Sequence, residues 1–169
     1  MVAARILAAI FLLGEGPRGN RQEMGSLKER WNWLQSRLYR RLADAHRHFG
    51  NMYGNQEEHW AAVEYYTRAT VLDPEYAQAL YSRGVLYWRE IGNSYRAIQD
   101  LTRVLELDPT WAEAYFNRGL AYHMHRDREE AMADFERYLD LGEDSFWLES
   151  ARRQLAELRQ EGKEAEEGV

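Results

Sequence analysis

Few residue patterns in this chain could do chemistry, and each points to a different reaction class. Gly14-Glu15-Gly16-Pro17-Arg18-Gly19 has the spacing of a dinucleotide phosphate loop, in which glycines let the backbone approach a pyrophosphate at a helix start. That chemistry needs a strand before the loop and a βαβ unit after it. Pro17 and the helical pattern downstream deny both, so the stretch reads as a glycine-rich linker. Five histidines could hold zinc. His46 and His48 are two apart and point to different faces of a helix, while His123 and His125 flank Met124 at a predicted turn. No His-Glu-x-x-His or comparable ligand spacing exists. Glu57-Glu58 and Glu129-Glu130 could serve as paired carboxylates, but both stand at predicted helix starts, where negative charge complements the helix dipole. There is no cysteine, which excludes disulfides, thiolate nucleophiles and cysteine metal sites. There is also no Gly-Lys-Ser/Thr phosphate loop and no recognisable nucleophile motif. The expectation is a protein that is not an enzyme and has no cofactor and no metal.

The elements that would carry other chemistry emerge from composition and periodicity. With 169 residues the chain suggests one compact domain with short extensions. The net charge of −6 argues against nucleic acid as a partner, since a clustered basic face is expected there. The charge is uneven. Residues 1–48 carry nine Lys/Arg and four Asp/Glu, or +5, and the rest carry thirteen and twenty-four, or −11. Either the two ends meet different partners or the helices neutralise one another when stacked.

A repeat runs through the chain. Ala45, Ala79 and Ala114 are spaced 34 and 35 apart, as are Gly50, Gly84 and Gly119, and Tyr53, Tyr87 and Tyr122. Ala62, Ala97 and Ala131, then Tyr66, Leu101 and Phe135, are spaced 35 and 34. Arg68, Arg103 and Arg137, and Leu72, Leu107 and Leu141, follow in the same register. One extra residue therefore lies between Tyr87 and Ala97, and is expected in a turn near Ile91-Gly92-Asn93-Ser94, where insertions are best tolerated. Each unit reads as two helices, in unit two near Ala77–Glu90 and Tyr95–Leu107. Asp73-Pro74 and Asp108-Pro109 stop the preceding helices. Gly84 and Ala97 permit close approach of the two helices, and Tyr87 and Leu101 fill the space beside them. No segment has a strand's period of two.

This pattern of small, aromatic and alanine positions at period 34 resembles the tetratricopeptide repeat. The resemblance covers residues 43–145 as three units, 43–76, 77–111 and 112–145. Departures are His46 where a large residue is expected early in the first helix, Val104 and Tyr138 in place of alanine, and Gly142-Glu143 in place of Asp-Pro. The fold implied is all-α: a three-unit α-solenoid with an N-terminal extension helix and a C-terminal capping helix. The cap is expected over 146–160, with Phe146, Leu148, Leu155 and Leu158 inward and Glu149, Arg152, Arg153 and Glu157 outward. Residues 161–169 read as an acidic, disordered tail.

The N-terminal third carries its own signals. Ser26 and Glu29 fit a capping box, and Leu27, Trp31, Leu34, Leu38, Leu42, Ala45 and Phe49 form one helical face. One helix should therefore start near Leu27, cover 26–42 as an extension and run into the first unit. Its apolar stripe is expected to fold onto the array as a cap, the alternative being that it projects toward a partner or a second copy. The basic face, with Lys28, Arg30, Arg37, Arg40, Arg41 and Arg47, is expected in solvent, with contact to an anionic membrane surface as the alternative. Residues 1–13 are apolar apart from Arg5 and too short to span a bilayer. Residues 1–25 are read as a poorly ordered or membrane-associating leader, or as sequence ahead of a true start at Met24. The protein is expected to be cytoplasmic, with membrane association through residues 1–41 as the alternative.

The resemblance also implies a site. The family's concave groove is lined by the first helix of each unit. By register it falls here on Arg47, His48 and Asn51, then Gln78, Tyr81, Ser82, Val85 and Trp88, then Glu113, Phe116, Asn117, Leu120 and His123. Tyr81, Trp88 and Phe116 are expected to anchor a ligand, and Asn51 and Asn117 to hold its backbone. Some family members clamp a C-terminal carboxylate. Arg47 and Asn51 match that clamp, whereas Ser82, Glu113 and Asn117 do not complete it. The function expected is an interaction adaptor or assembly subunit that takes a protein or peptide in the groove, and a homo-oligomer is open. The alternative is a membrane-tethered structural subunit.

Overall fold

The computed structural model describes residues 26–167, and among these it contains helices and no strand. The readings placed on residues 1–25 and on the last two residues lie outside the described residues. Helix α1 spans Leu27–Tyr53, α2 Gln56–Leu72 and α3 Ala77–Leu86, which continues as a π turn over Tyr87–Ile91. Then come α4 (Ser94–Leu107), α5 (Ala112–His125), α6 (Arg128–Leu141) and α7 (Ser145–Glu167). The α1–α2, α3–α4 and α5–α6 pairs are helical hairpins that stack in order.

Local chemistry sets the boundaries. The Ser26 hydroxyl accepts from the Glu29 amide, and Asn55 and Asn93 cap α2 and α4 in the same way. Gly54 and Gly92 end α1 and the π turn at positive φ, where glycine carries no Cβ penalty. Arg126 holds the corresponding place after α5 at φ 69°. The final helix runs on to Glu167 instead of giving way to a tail at 161.

Packing within each hairpin follows the small residues. A Cβ on Gly84 would stand 2.9 Å from Leu101, and one on Gly119 would stand 3.0 Å from Phe135. At Gly50 the space is taken by the buried His59 ring, whose Nε2 bonds Asn51 Oδ1 at 2.9 Å.

Between hairpins the tie is polar as well as apolar. Arg83 of α3 makes a two-pronged pair with Asp100 of α4, 2.7 Å on each arm, and donates to Thr67 and Thr70 of the preceding α2 at 3.0 Å. Arg118 of α5 repeats this with Asp134 of α6 at 2.7 and 2.8 Å, and with Thr102 of α4 at 3.1 Å. Each arginine thus fastens its own hairpin and the one before it. Burial pushes both aspartic carboxyls up, against the downward pull of their arginines.

Two expectations need correction. The extra residue of unit two is not in the turn. It is taken into the helix, where Tyr87 O accepts from the Gly92 and Asn93 amides in place of an α-helical ladder. A widened turn of this kind absorbs one residue without breaking the helix.

The faces of α1 are also reversed. Its buried side is Ser36, Ala43 and Gly50, small residues spaced by seven. Two of its arginines turn inward, while Lys28 and Arg30 stay exposed: Arg37 lies over the Tyr76 ring at 3.6 Å and pairs with Asp73, and Arg40 donates to the Tyr76 hydroxyl at 2.6 Å. The expected docking stripe, with Leu27, Trp31, Leu38, Leu42, Ala45 and Phe49, is exposed. Small residues allow the closest helix contact, and arginine stems can cover aromatic faces, so the array takes that side. Of the residues expected to close the C-terminal end, Leu155 and Leu158 are buried and Leu148 is half-buried, with Ala151 buried beside them. Phe146 departs from that reading and is exposed.

Candidate functional site

The groove-facing residues gather into one cleft between the second and third hairpins. It measures about 490 Å3, and Tyr81, Trp88, Arg89, Glu113, Phe116, Asn117, Leu120, Tyr138 and Trp147 line it. Six of these were anticipated from register. Three were not: Arg89, Tyr138 and Trp147.

The cleft is built from the elements upward. Trp88 and Arg89 sit in the π turn, whose extra residue sets how they are presented. The Trp88 indole Nε1 donates to Asn117 Oδ1 at 3.2 Å. Asn117 Nδ2 donates to the Tyr81 hydroxyl at 3.0 Å and to the Glu113 carbonyl at 2.7 Å. The amide expected to hold a ligand backbone is therefore engaged on both ends, and it fixes the two walls instead. Tyr81 stacks on Trp111 with ring centroids 4.9 Å apart. Phe116 is buried and forms the floor, meeting Tyr138 at 5.1 Å, Trp147 at 5.3 Å and Phe135 at 5.7 Å. Trp147 comes from α7, so the cap supplies one wall.

The rim is acidic. Burial first, then the Glu113 carboxylate, pushes the Tyr81 hydroxyl from 10.0 up to about 12. Burial, Glu113 and Asp144 likewise raise Tyr138. Arg89 also lines the cleft and is engaged by Glu90 at 3.4 Å.

The remaining anticipated residues lie elsewhere. His123 lines a second hollow of about 640 Å3 between the α5–α6 turn and α7, with its Nδ1 at 3.3 Å from Gln154. Arg47 lies near Tyr66 and Tyr81, where its charge offsets part of the rise that burial gives both hydroxyls, and its Nε is buried without a hydrogen-bond partner. Ser82 bonds Tyr66, and Asn51 is taken by His59. Gln78 and His48 are exposed and Val85 is half-buried, none of them against the cleft. Tyr138 was visible in the sequence as a large residue at an alanine position. Trp147 had no register to reveal it.

Comparisons with known proteins agree with this fold. A "TPR repeat" profile matches residues 89–125, and a "Tetratricopeptide repeat" profile matches residues 112–145. The fold is similar to the TPR domain of Arabidopsis OM64, with 25% identity over 76% of this chain and 98% of that one, and a TM-score of 0.66. It is also similar to the first TPR domain of human RPAP3 at 26% identity, covering 76% and 98%, with a TM-score of 0.61. The first TPR of Spaghetti (RPAP3), bound to the HSP90 peptide SRMEEVD, is 27% identical over 72% of this chain and 93% of that one, with a TM-score of 0.59. No curated protein matches the chain significantly.

Proposed function

Because the chain belongs to the tetratricopeptide-repeat family, we propose that it is an interaction adaptor or assembly subunit, not an enzyme, and that it receives a peptide segment of a partner protein in the cleft between its second and third repeats. The observation that carries this is the open aromatic cleft itself: Trp88, Phe116, Tyr138 and Trp147 converge on a space of peptide-anchor size, and Asn117 holds its walls in place. Clefts of several hundred Å3 with apolar walls and few polar groups are typical ligand sites. That a similar domain carries a peptide supports the reading.

The charge at the rim selects the ligand. Glu113 stands where a carboxylate clamp needs a cation, and Asn117 has no free amide hydrogen. An acidic peptide such as SRMEEVD is disfavoured, and an apolar anchor beside Lys or Arg is favoured. The test is fluorescence titration with two synthetic peptide series, each having a Trp or Leu anchor flanked by Lys or by Glu. Lys-flanked peptides should bind more tightly. Trp88→Ala should cost about 2 kcal/mol, or about 30-fold in Kd, with helicity unchanged. Glu113→Lys should reverse the charge preference. Equal binding of both series by the unaltered chain and by Trp88→Ala removes the cleft from consideration.

A further inference from the structure

The two ends of the stack are finished differently. At the C-terminal end α7 buries its apolar side and turns Glu149, Arg152, Arg153 and Glu157 outward. At the other end the outward side of α1 is apolar. By repeat register, Ala45, Phe49 and Met52 of α1 match Ala79, Arg83 and Leu86 of α3. In the second unit this side is covered by the second helix of the unit before: Ala79 and Leu86 join Val63, Tyr66 and Ala69 of α2 in one cluster. Ala114 of α5 likewise joins Leu101, Val104 and Leu105 of α4. Leu86 is 1% exposed, whereas Met52 is 55% and Phe49 47% exposed. The outward side of α1 is thus a stacking face with no stacked helix on it among the described residues.

We infer that a second copy of this chain covers this face, with the two α1 helices packed antiparallel about a two-fold axis near residue 40. The spacing of the exposed apolar residues carries the inference. A half-turn about residue 40 brings Leu27 level with Tyr53 of the other copy, Trp31 with Phe49, and Leu38 with Leu42. All six are exposed, and each meets a large apolar counterpart. An isologous interface needs this property, one patch that complements itself. A face that receives an unrelated helix has no reason to be symmetric about its own middle. Met52 falls level with Lys28, whose stem can lie along it, and Ala45 with Gln35. Leu38, Leu42, Ala45, Phe49 and Met52 are spaced four, three, four and three, the spacing of a helix–helix seam.

The area agrees. At roughly 200 Å2 for a fully exposed large side chain, the six residues and Met52 leave roughly 750 Å2 open. That exceeds the largest apolar patch of an ordinary monomer, about 300–600 Å2. It is close to the about 800 Å2 that each partner gives to a stable complex.

Charge selects the direction. From Trp31 to Tyr53 every exposed residue of α1 is uncharged, His48 apart. Lys28 and Arg30, with Glu29 between them, leave net positive charge at one end of the helix, and the exposed Glu57 opens α2 beside the other end. The antiparallel pair sets the cations near Glu57 of the other copy. A parallel pair sets them against their own counterparts. An anionic bilayer is disfavoured by the same distribution, because Arg37 and Arg40, which would flank the stripe, are turned onto Tyr76.

The test uses the full chain. Sedimentation equilibrium should give twice the chain mass of 20.0 kDa, with a Kd of about 1 µM or below, as for interfaces of this size. Leu38→Glu with Leu42→Glu, at exposed positions that face each other across the axis, should weaken the dimer at least about 100-fold. Helicity and peptide binding in the cleft should not change, since neither position lines it. The absence of native cysteine lets cross-linking report the direction. Chains carrying Trp31→Cys mixed with chains carrying Phe49→Cys should form a covalent dimer at least about tenfold faster than either alone, because the half-turn sets the two positions side by side and holds each about 27 Å from its own counterpart. A dimer that survives the double glutamate change overturns the inference, as do equal rates of cross-linking. So does a monomeric chain. A monomer whose Phe49→Cys thiol resists alkylation gives the face to other residues of the same chain. One that floats with anionic vesicles unless Leu38 and Leu42 are changed gives it to a membrane.

Discussion

At the residue scale, buried polar groups are what the structure adds most. Asp100 and Asp134 are each gripped by an arginine that also reaches the preceding hairpin. Removing one carboxylate leaves a buried guanidinium without its charge partner, which typically costs about 3–5 kcal/mol. Asp100→Ala should therefore lower the midpoint of urea unfolding sharply. The double variant Arg83→Met, Asp100→Leu should lose much less than the single change, and equal losses would show that the pair is not coupled. Tyr81 gives a pH signature. Its hydroxyl has a folded value of about 12 against 10.0 when free, so the folded state keeps a proton that the unfolded state releases. The stability this contributes is full below pH 10 and is lost as pH rises from 10 toward 12. Tyrosinate absorbance should thus lag behind that of free tyrosine. Tyr66, raised further by burial and Asp44, should titrate only as helicity collapses. Complete tyrosine ionisation with intact circular dichroism near pH 10 would sink this account.

At the element scale, the π turn is the decisive feature. The repeat register in the sequence already required one extra residue between Tyr87 and Ala97, but not where the backbone would put it. A turn could have absorbed it at little cost. Inside the helix it changes the angular position of every side chain on one side of it relative to the other, and Trp88 and Arg89 stand in that stretch. Deleting Glu90, which does not line the cleft, should restore a plain α-helix like α5. We expect near-wild-type helicity and thermal stability, but peptide affinity reduced by at least about tenfold as Trp88 loses Asn117. Unchanged affinity would mean that the cleft does not depend on the turn. The reversal of α1 belongs to this scale as well. A hydrophobic stripe identifies an amphipathic helix, but it does not say which side its neighbours take. Here Ser36, Ala43 and Gly50 allow closer approach than the leucines do.

At the scale of the whole molecule, each hairpin is too small to bury its own apolar side and is completed by its neighbours. The C-terminal helix therefore acts as both a cap and a wall of the site: Leu155 and Leu158 hold α7 against the third hairpin, and Trp147 at its start meets Phe116. Loosening the cap should open the cleft at a distance. Leu158→Asp, which places a charge in a buried position, should cost several kcal/mol, promote association through the uncovered third hairpin, and weaken peptide binding although residue 158 lies outside the cleft. Unimpaired peptide binding by a demonstrably loosened α7 would separate the cap from the site. The same logic extends to the front of the stack, where the uncovered side of α1 is the counterpart of surfaces that are filled in later units.

By itself the sequence determined the helical repeat, its three units and the positions of closest helix contact. Those depend on local periodicity and on residues such as Gly84 and Ala97 whose size permits only one arrangement. It also named six of the nine residues around the cleft, because helices in register present equivalent positions to the same side. The Arg83 and Arg118 ties were written in the same register, as were Asp100 with Asp134 and Thr67 with Thr102, but unit one breaks the pattern with Phe49 and Tyr65. Only the tertiary structure decided where the extra residue goes, which side of α1 is buried, and that Trp147 reaches across from the cap. Each of these is a competition among packing arrangements of similar local energy, settled by contacts between residues far apart in the chain, where periodicity carries no information.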